Sequence, residues 1–280
     1  LLNGPDTILA PGVCDALTAL IAEQSGAKMV YLSGAGLAYT RFGSPDIGLV
    51  SMAEVADTIA LIRDRVSIPI IVDADNGFGN ALNVQRTMRV FERNGANALQ
   101  LEDQTMPKRC GHLDGKVLIS ASEMAGKLHA AADARASDTT LIIARTDAIA
   151  VEGFEAACDR AELYIEAGAD VLFVEAPQNR TQLEAIASRF GGRIPLMANM
   201  VEGGKTPIHG MADLQALGYS LVIFPGGVVR ALAKTAVDYY RALILTGSNE
   251  SFKGRMYDFD GLNDVIETHS ILSQAKKYAN

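Results

Sequence analysis

The sequence is sparing with cysteine: Cys14, Cys110 and Cys158 are the whole complement in 280 residues. An odd count at wide spacings argues against a disulfide framework or a zinc cluster and for a reducing, cytoplasmic setting. Long apolar runs are lacking too. None reaches the roughly 18–20 residues of a membrane span, and no basic start, apolar middle and small-residue cleavage site marks a leader. The chain opens on Leu1 rather than methionine, which leaves a preceding segment open. Nor do cations dominate. Lys plus Arg number 25 against 33 Asp plus Glu, a formal charge of −8, so neither nucleic acid nor an anionic membrane is expected as a partner. No G-x-G-x-x-G opens a helix after a strand, which weakens the case for a dinucleotide-binding open sheet. No low-complexity linker divides the chain.

What is present is a repeated alternation. Short apolar runs recur at Ile8–Val13, Met29–Leu32, Ile68–Val72, Ala98–Leu101, Leu141–Ala144, Val171–Val174, Ile194–Ala198 and Leu221–Phe224. Most are continuous, as in strands of a parallel sheet buried on both faces. Amphipathic helix patterns lie between them, over 51–63, 80–93, 120–135, 153–167 and 180–190; the first opens on a Ser51/Glu54 capping box. Three junctions share a Gly-Ala step, at Gly26, Gly95 and Gly168, where a left-handed residue closes a helix before a strand. Eight such units in about 240 residues is the size of a (β/α)8 TIM-type barrel, with a doubly wound open sheet as the alternative. The expected organisation is a barrel over 1–247 and a helical tail over 248–280 that packs on the barrel or on a neighbouring subunit. A long helix is expected from Tyr239 to Thr246.

In such a barrel the chemistry collects at the C-terminal ends of the strands. Asp73 and Asp75, two apart on a strand, share a face, and Glu102 ends the next strand. Three converging carboxylates need a cation, and hard oxygen ligands favour Mg2+ or Mn2+. In the loop that follows, Lys108, Arg109 and His112 flank Cys110, and their charges favour its thiolate; Gly111 permits close approach to a ligand. The Gly-rich turn Ser33-Gly34-Ala35-Gly36 offers backbone N–H groups to a carboxylate or phosphate. Arg145 and Arg230 are candidate bidentate carboxylate clamps.

Together these motifs resemble the isocitrate lyase/phosphoenolpyruvate mutase superfamily. The carriers are Tyr31–Gly36, Asp73–Gly79, Leu101–Gln104, Lys108–His112, Ala144–Asp147 and Ala198–Asn199. The Lys-Arg-Cys-Gly-His loop is the most specific of them and is similar to the lyase branch. The resemblance implies a barrel whose eighth helix is exchanged between subunits of a homotetramer, and Mg2+ held directly by Asp75 with Asp73 and Glu102 acting through water. It implies a carbon–carbon lyase that splits a 2-hydroxydicarboxylate into pyruvate and a second carboxylate through an enediolate. Cys110 would be the acid, and Arg109, His112 and Asn199 would hold the second carboxylate. Ser33, Gly34, Ala35 and Arg145 would hold the α-keto acid end, and Tyr31, Asp46 and Glu175 would line the pocket. Residues 200–207 and 225–227 depart from 2-methylisocitrate lyases and look more like 2,3-dimethylmalate lyases, which favours a smaller, malate-like substrate. The alternatives on the same metal site are oxaloacetate decarboxylation or hydrolysis, then phosphonopyruvate chemistry, then a non-catalytic α-keto acid binder.

Overall fold

A computed structural model describes residues 1–280 except 1, 3, 5, 112, 114, 205, 207–209 and 280. The strands are β1 (Ile8–Val13), β2 (Val30–Leu32), β3 (Ile70–Asp73), β4 (Ala98–Glu102), β5 (Leu141–Thr146), β6 (Val171–Val174), β7 (Met197–Asn199) and β8 (Leu221–Phe224). They pair in parallel in the order β6-β5-β4-β3-β2-β1-β8-β7. The two ends of this ribbon meet where Leu172 bridges Leu196 and donates its N–H to the Pro195 carbonyl at 3.0 Å. The expected (β/α)8 barrel is therefore what forms. Its helices are α1 (Ala16–Gln24), α2 (Gly34–Phe42), α3 (Met52–Arg63), α4 (Ala81–Arg93), α5 (Ala121–Ala134), α6 (Phe154–Glu166), α7 (Arg180–Phe190) and α8 (Met211–Leu217), followed by α9 (Gly227–Thr246), α10 (Phe259–Val265) and α11 (Thr268–Lys276). None is long and apolar enough to cross a membrane among the described residues.

The two-residue period of each strand sorts the interior into layers. Tyr31 pairs with Ile71, Ile71 with Ala98 and Ala98 with Leu141. With Met29, Ile143, Phe173 and Leu221 they form a buried apolar plug. One step further along the strands the inward positions turn polar: Asp73 pairs with Gln100, and Glu102 with Arg145. The alternate residues face outward and pack under the helices in two larger clusters around Ile59, Phe91 and Leu128, and around Ile186, Phe190 and Leu196. The barrel is thus a packed cylinder with a charged upper rim. The helix exits anticipated at Gly26, Gly95 and Gly168 have φ of 94°, 103° and 97°. In each, the following alanine N–H reaches back to a carbonyl in the last turn, from Ala27 to Ala22, Ala96 to Phe91 and Ala169 to Tyr164, which closes the helix as a Schellman motif does.

Three sequence expectations change. The strand carrying Asp73 stops there, and Asp75 sits in the following turn at φ 47°; turn geometry, not strand period, brings it to the mouth. The Gly-rich segment after β2 is the first turn of α2, with Ser33 as N-cap accepting from Gly36 N–H at 3.1 Å. The helix expected from Tyr239 begins at Gly227, because nothing between β8 and Tyr239 breaks it. The tail contains the two helices α10 and α11, parted at Glu267, which has φ 62°.

The chain divides into two compact units, Leu1–Gly227 and Val228–Asn280. The division precedes α9, whereas the expected one followed it at residue 247. Within the second unit α9 is tied to the segment that follows it. Tyr239 packs edge-on against Phe252 at 5.3 Å, and Arg255 stands over that ring while facing Asp238. Arg230 lies on the first turn of α9, exposed and in this second unit.

Candidate active site

The upper rim of the barrel is built on acids that local geometry forces together. Asp73, at the end of β3, accepts from its own turn through Asp75 N–H at 3.2 Å and from Gln100 Nε2 at 3.2 Å. Gln100 in turn accepts from the Tyr31 hydroxyl at 3.0 Å. Tyr31 therefore acts on the rim from one layer below. Its burial, with Asp73 nearby, holds the phenol well above its ordinary value and protonated. The start of α2 lies directly against these acids: a Cβ on Gly34 would stand 3.1 Å from Asp73 Oδ2. First-turn N–H groups have no partner within a helix and carry its positive dipole end, so this wall suits an anion.

Two cations compensate the cluster. The Lys108 ammonium is 2.7 Å from Asp75 Oδ1 and also pairs with Asp46, all three side chains being buried. Arg145 Nη1 lies 3.3 Å from Glu102 Oε2. Burial nevertheless pushes both Asp75 and Glu102 upward, Lys108 and Arg145 respectively opposing it. Lys108 in turn is held well above its ordinary value, because Asp75 and Asp46 outweigh the cost of burial. Glu102 Oε1 and Asn199 Oδ1 stay without a hydrogen-bond donor, whereas Asp75 Oδ1 is compensated by the Lys108 ammonium. A buried carboxylate oxygen left bare, as Glu102 Oε1 is, is costly, and a divalent cation would satisfy it. Among the described residues no three Asp, Glu, Cys or His side chains group tightly enough to ligate one ion alone. An ion held by these acids would have to draw the rest of its shell from water or a bound anion.

Arg145 is fixed by Asp147, two residues on in the turn that follows β5. Nε and Nη2 donate to its two oxygens at 2.9 and 3.1 Å. Burial alone would raise Asp147, yet Arg145 and Lys116 hold it below the carboxylate range. Behind it, Asp103 accepts from the Asp147 N–H, the Thr146 hydroxyl and the Tyr164 hydroxyl at 2.9, 2.7 and 2.8 Å. On the next strands, Glu175 accepts from Asn199 Nδ2 at 3.2 and 3.3 Å.

The loop carrying Cys110 closes over this rim. Its neck is zipped by the Gln104–Leu118 bridge and by Thr105 N–H donating to Val117 O at 2.8 Å. Gln104 also clamps the Arg109 backbone, its Nε2 donating to the carbonyl at 2.8 Å and its Oε1 accepting from the N–H at 3.0 Å. Asp46 receives the Cys110 N–H on its carbonyl at 3.3 Å while its side chain pairs with Lys108. At the tip, a Cβ on Gly111 would stand 2.4 Å from Arg145 Nη2 and 2.6 Å from Glu175 Oε1. Only glycine lets the backbone come this close.

Of the expected site residues, the structure brings together Tyr31, Ser33, Gly34, Asp46, Asp73, Asp75, Glu102, Lys108, Cys110, Gly111, Arg145, Glu175 and Asn199. Ala35 is in the first turn of α2. Arg109 is exposed and contributes backbone to the clamp; His112 lies outside the described residues. Sequence reasoning gave no role to Gln100, Gln104, Lys116 or Asp147. Gln100 stands two residues before Glu102 on the same face of β4, and Asp147 two residues after Arg145, just past the end of β5. A lysine beside Gly115 reads as solvated, and Lys116 is buried.

Residues 1–244 match the phosphoenolpyruvate phosphomutase family. The chain is 39% identical to a 2,3-dimethylmalate lyase of Eubacterium barkeri over 100% of its length and 96% of the relative's. It is 44% identical to a 2-methylisocitrate lyase of Aeropyrum pernix over 96% and 86%. A crystal structure of 2,3-dimethylmalate lyase, described as a PEP mutase/isocitrate lyase superfamily member, superposes with a TM-score of 0.92 at 32% identity, over 98% of this chain and 92% of that one. A phosphonopyruvate hydrolase solved with oxalate and Mg2+ superposes with a TM-score of 0.88 at 27% identity, over 100% and 96%. The chain belongs to the phosphoenolpyruvate phosphomutase family of the PEP mutase/isocitrate lyase superfamily.

Proposed function

We propose that this chain is a carbon–carbon lyase that cleaves a 2-hydroxydicarboxylate of the 2,3-dimethylmalate or 2-methylisocitrate kind to pyruvate and a second carboxylate. The observation that carries the reading is the Cys110 loop seated on the carboxylate rim, with Gly111 against Arg145 and Glu175. A site that only binds, or that decarboxylates, has no use for a thiol at that position. Asp75, Asp73 and Glu102 would hold Mg2+ or Mn2+, which as a Lewis acid stabilises developing negative charge on the substrate's 2-oxygen. The α2 first turn at Ser33–Ala35 and the Arg145 guanidinium bind the carboxylate and oxygen of the α-keto acid end. As the 2-hydroxyl passes its proton to a carboxylate of the rim, whose proton affinity burial raises, and becomes a carbonyl, the C2–C3 bond breaks and its electron pair collects on the second product as an enediolate. Cys110 delivers its thiol proton to that carbon. Asn199, Arg109 and His112 hold the second carboxylate, and the closed loop excludes water from the carbanionic species. The Lys108–Asp46 and Lys108–Asp75 pairs keep the cationic side of the loop docked. Oligomerisation as a tetramer with exchanged C-terminal helices belongs to the same reading.

The test is a dehydrogenase-coupled assay for pyruvate with Mg2+ and 2,3-dimethylmalate, citramalate or 2-methylisocitrate, with glyoxylate measured separately. Pyruvate from the methyl-substituted substrates is expected. No product from any of them refutes the reading, and oxaloacetate turnover that survives Cys110→Ser replaces it with the decarboxylase or hydrolase alternative.

A further inference from the structure

The Lys116 ammonium is buried at the foot of the Cys110 loop and touches both halves of the site. It donates to the Gly111 carbonyl at the loop tip, and it stands 3.2 Å from Asp147 Oδ1. The same Asp147 carboxylate holds Arg145 by two hydrogen bonds. Lys116 lies beside the zipped neck, where Val117 O and Leu118 are anchored to Thr105 and Gln104. Gly111, by contrast, lies five residues away at the tip. In a lifted tip the ammonium would keep Asp147 and lose the Gly111 carbonyl.

We propose that Lys116 is the latch of the Cys110 loop: a fixed cation, anchored on Asp147, on which the loop tip docks through the Gly111 carbonyl. It is a positioning residue, reaching the chemistry only through Cys110 and Arg145. Its closed-state bond stabilises the tip where Cys110 faces the rim, and its charge helps hold Asp147 square to Arg145. The inference rests on the lyase reading for its purpose but not for its geometry.

Loop opening is read by the rate at which iodoacetamide alkylates Cys110, followed by mass spectrometry of the Cys110 peptide. Cys14 and Cys158 are buried and form the internal reference. Losing a hydrogen bond from a charged donor shifts a closed–open equilibrium by about tenfold or more. Lys116→Met should therefore raise the Cys110 alkylation rate by roughly tenfold, while Lys116→Arg, which keeps charge and donors, stays within about twofold of wild type. A Lys116→Met rate within twofold of wild type, with an unchanged melting temperature, overturns the latch. If Lys116→Met does not melt cooperatively, Lys116→Gln is read instead. It keeps a donor without the charge, and an unchanged rate again overturns the proposal. Alkylation reports on the loop whether or not pyruvate forms. A wild-type chain that makes no pyruvate defeats the lyase reading alone, and an unaltered alkylation rate defeats the latch alone.

Discussion

Gly111→Ala is the sharpest perturbation the structure offers. The added methyl would lie 2.4 Å from Arg145 Nη2, 2.6 Å from Glu175 Oε1 and 2.8 Å from Glu175 Cγ, all well inside van der Waals contact. Neither neighbour yields easily. Asp147 holds Arg145 at 2.9 and 3.1 Å, and Asn199 holds Glu175 at 3.2 and 3.3 Å. The loop must move instead, taking Cys110 with it. Overpacking of this kind costs about 1–3 kcal/mol, a factor of roughly 5 to 150 in the population of the closed loop. That factor should appear in kcat/KM for pyruvate release. The barrel core is not involved, so the melting temperature should hold, since a surface loop opens independently of global unfolding. Gly192→Ala is the control, because nothing lies within 4 Å of a Cβ there. Gly111→Ala with kcat/KM within twofold of wild type would show that the closed loop is not the active one. A lowered melting temperature with full activity would refute the reasoning equally.

Three further outcomes follow from the same geometry. Cys110→Ser should lower pyruvate formation by about 10²- to 10⁴-fold, the usual worth of a positioned general acid, with binding of pyruvate by calorimetry retained; normal turnover would remove Cys110 from the mechanism. Gln100→Leu cuts the Tyr31–Gln100–Asp73 chain and should weaken Mg2+ activation by roughly 10- to 100-fold, read as the Mg2+ concentration for half-maximal activity after chelator treatment; an unchanged Mg2+ dependence would sink that role. Glu92 gives a pH test away from the site. Burial raises it, but the Ala136 N–H, the Thr140 hydroxyl and the Ser137 N–H bring it below its ordinary value. A carboxyl lowered on folding stabilises fully above its unfolded pKa and loses that contribution as pH falls through the folded value. Glu92→Gln should thus cost about 1 kcal/mol at pH 7 and little at pH 3, measured by urea unfolding; an equal loss at both would refute it.

The sequence declares the barrel because barrel strands are buried on both faces and so appear as unbroken apolar runs. Val171–Val174 and Leu221–Phe224 could be delimited to the residue for that reason. Strand ends were less legible. The inward residues of the last layer are Asp73, Glu102 and Arg145, and a polar residue at the end of an apolar run looks like loop although its backbone still pairs. The carboxylates and the Cys110 loop were visible since each sits at a strand end and together they match a family. Their partners were not. Gln100 is an ordinary polar residue until strand pairing puts it beside Asp73, and Asp147 until the turn after β5 folds it against Arg145. Nothing local marks Lys116, whose burial depends on its loop folding onto Asp147, roughly thirty residues further along the chain.

That difference has a physical source that bears on how this site works. Residues that meet the substrate are chemically exposed choices, so their type shows in the sequence. Residues that fix those groups act only through distance and angle. Arg145 alone, with five donors and a long stem, samples many orientations. Clamped by Asp147, which Asp103 holds through its backbone N–H and Lys116 faces from the loop, it has one. The clamp is also what makes the Gly111 methyl unaffordable, since an unclamped guanidinium would swing aside. The intolerance of Gly111 and the precision of Arg145 are then one property. Asp147→Asn, which keeps the size but drops the charge, should relieve part of the Gly111→Ala defect in the double variant even though it lowers activity alone. Strict additivity of the two losses in kcat/KM would instead show that the loop and the clamp are independent.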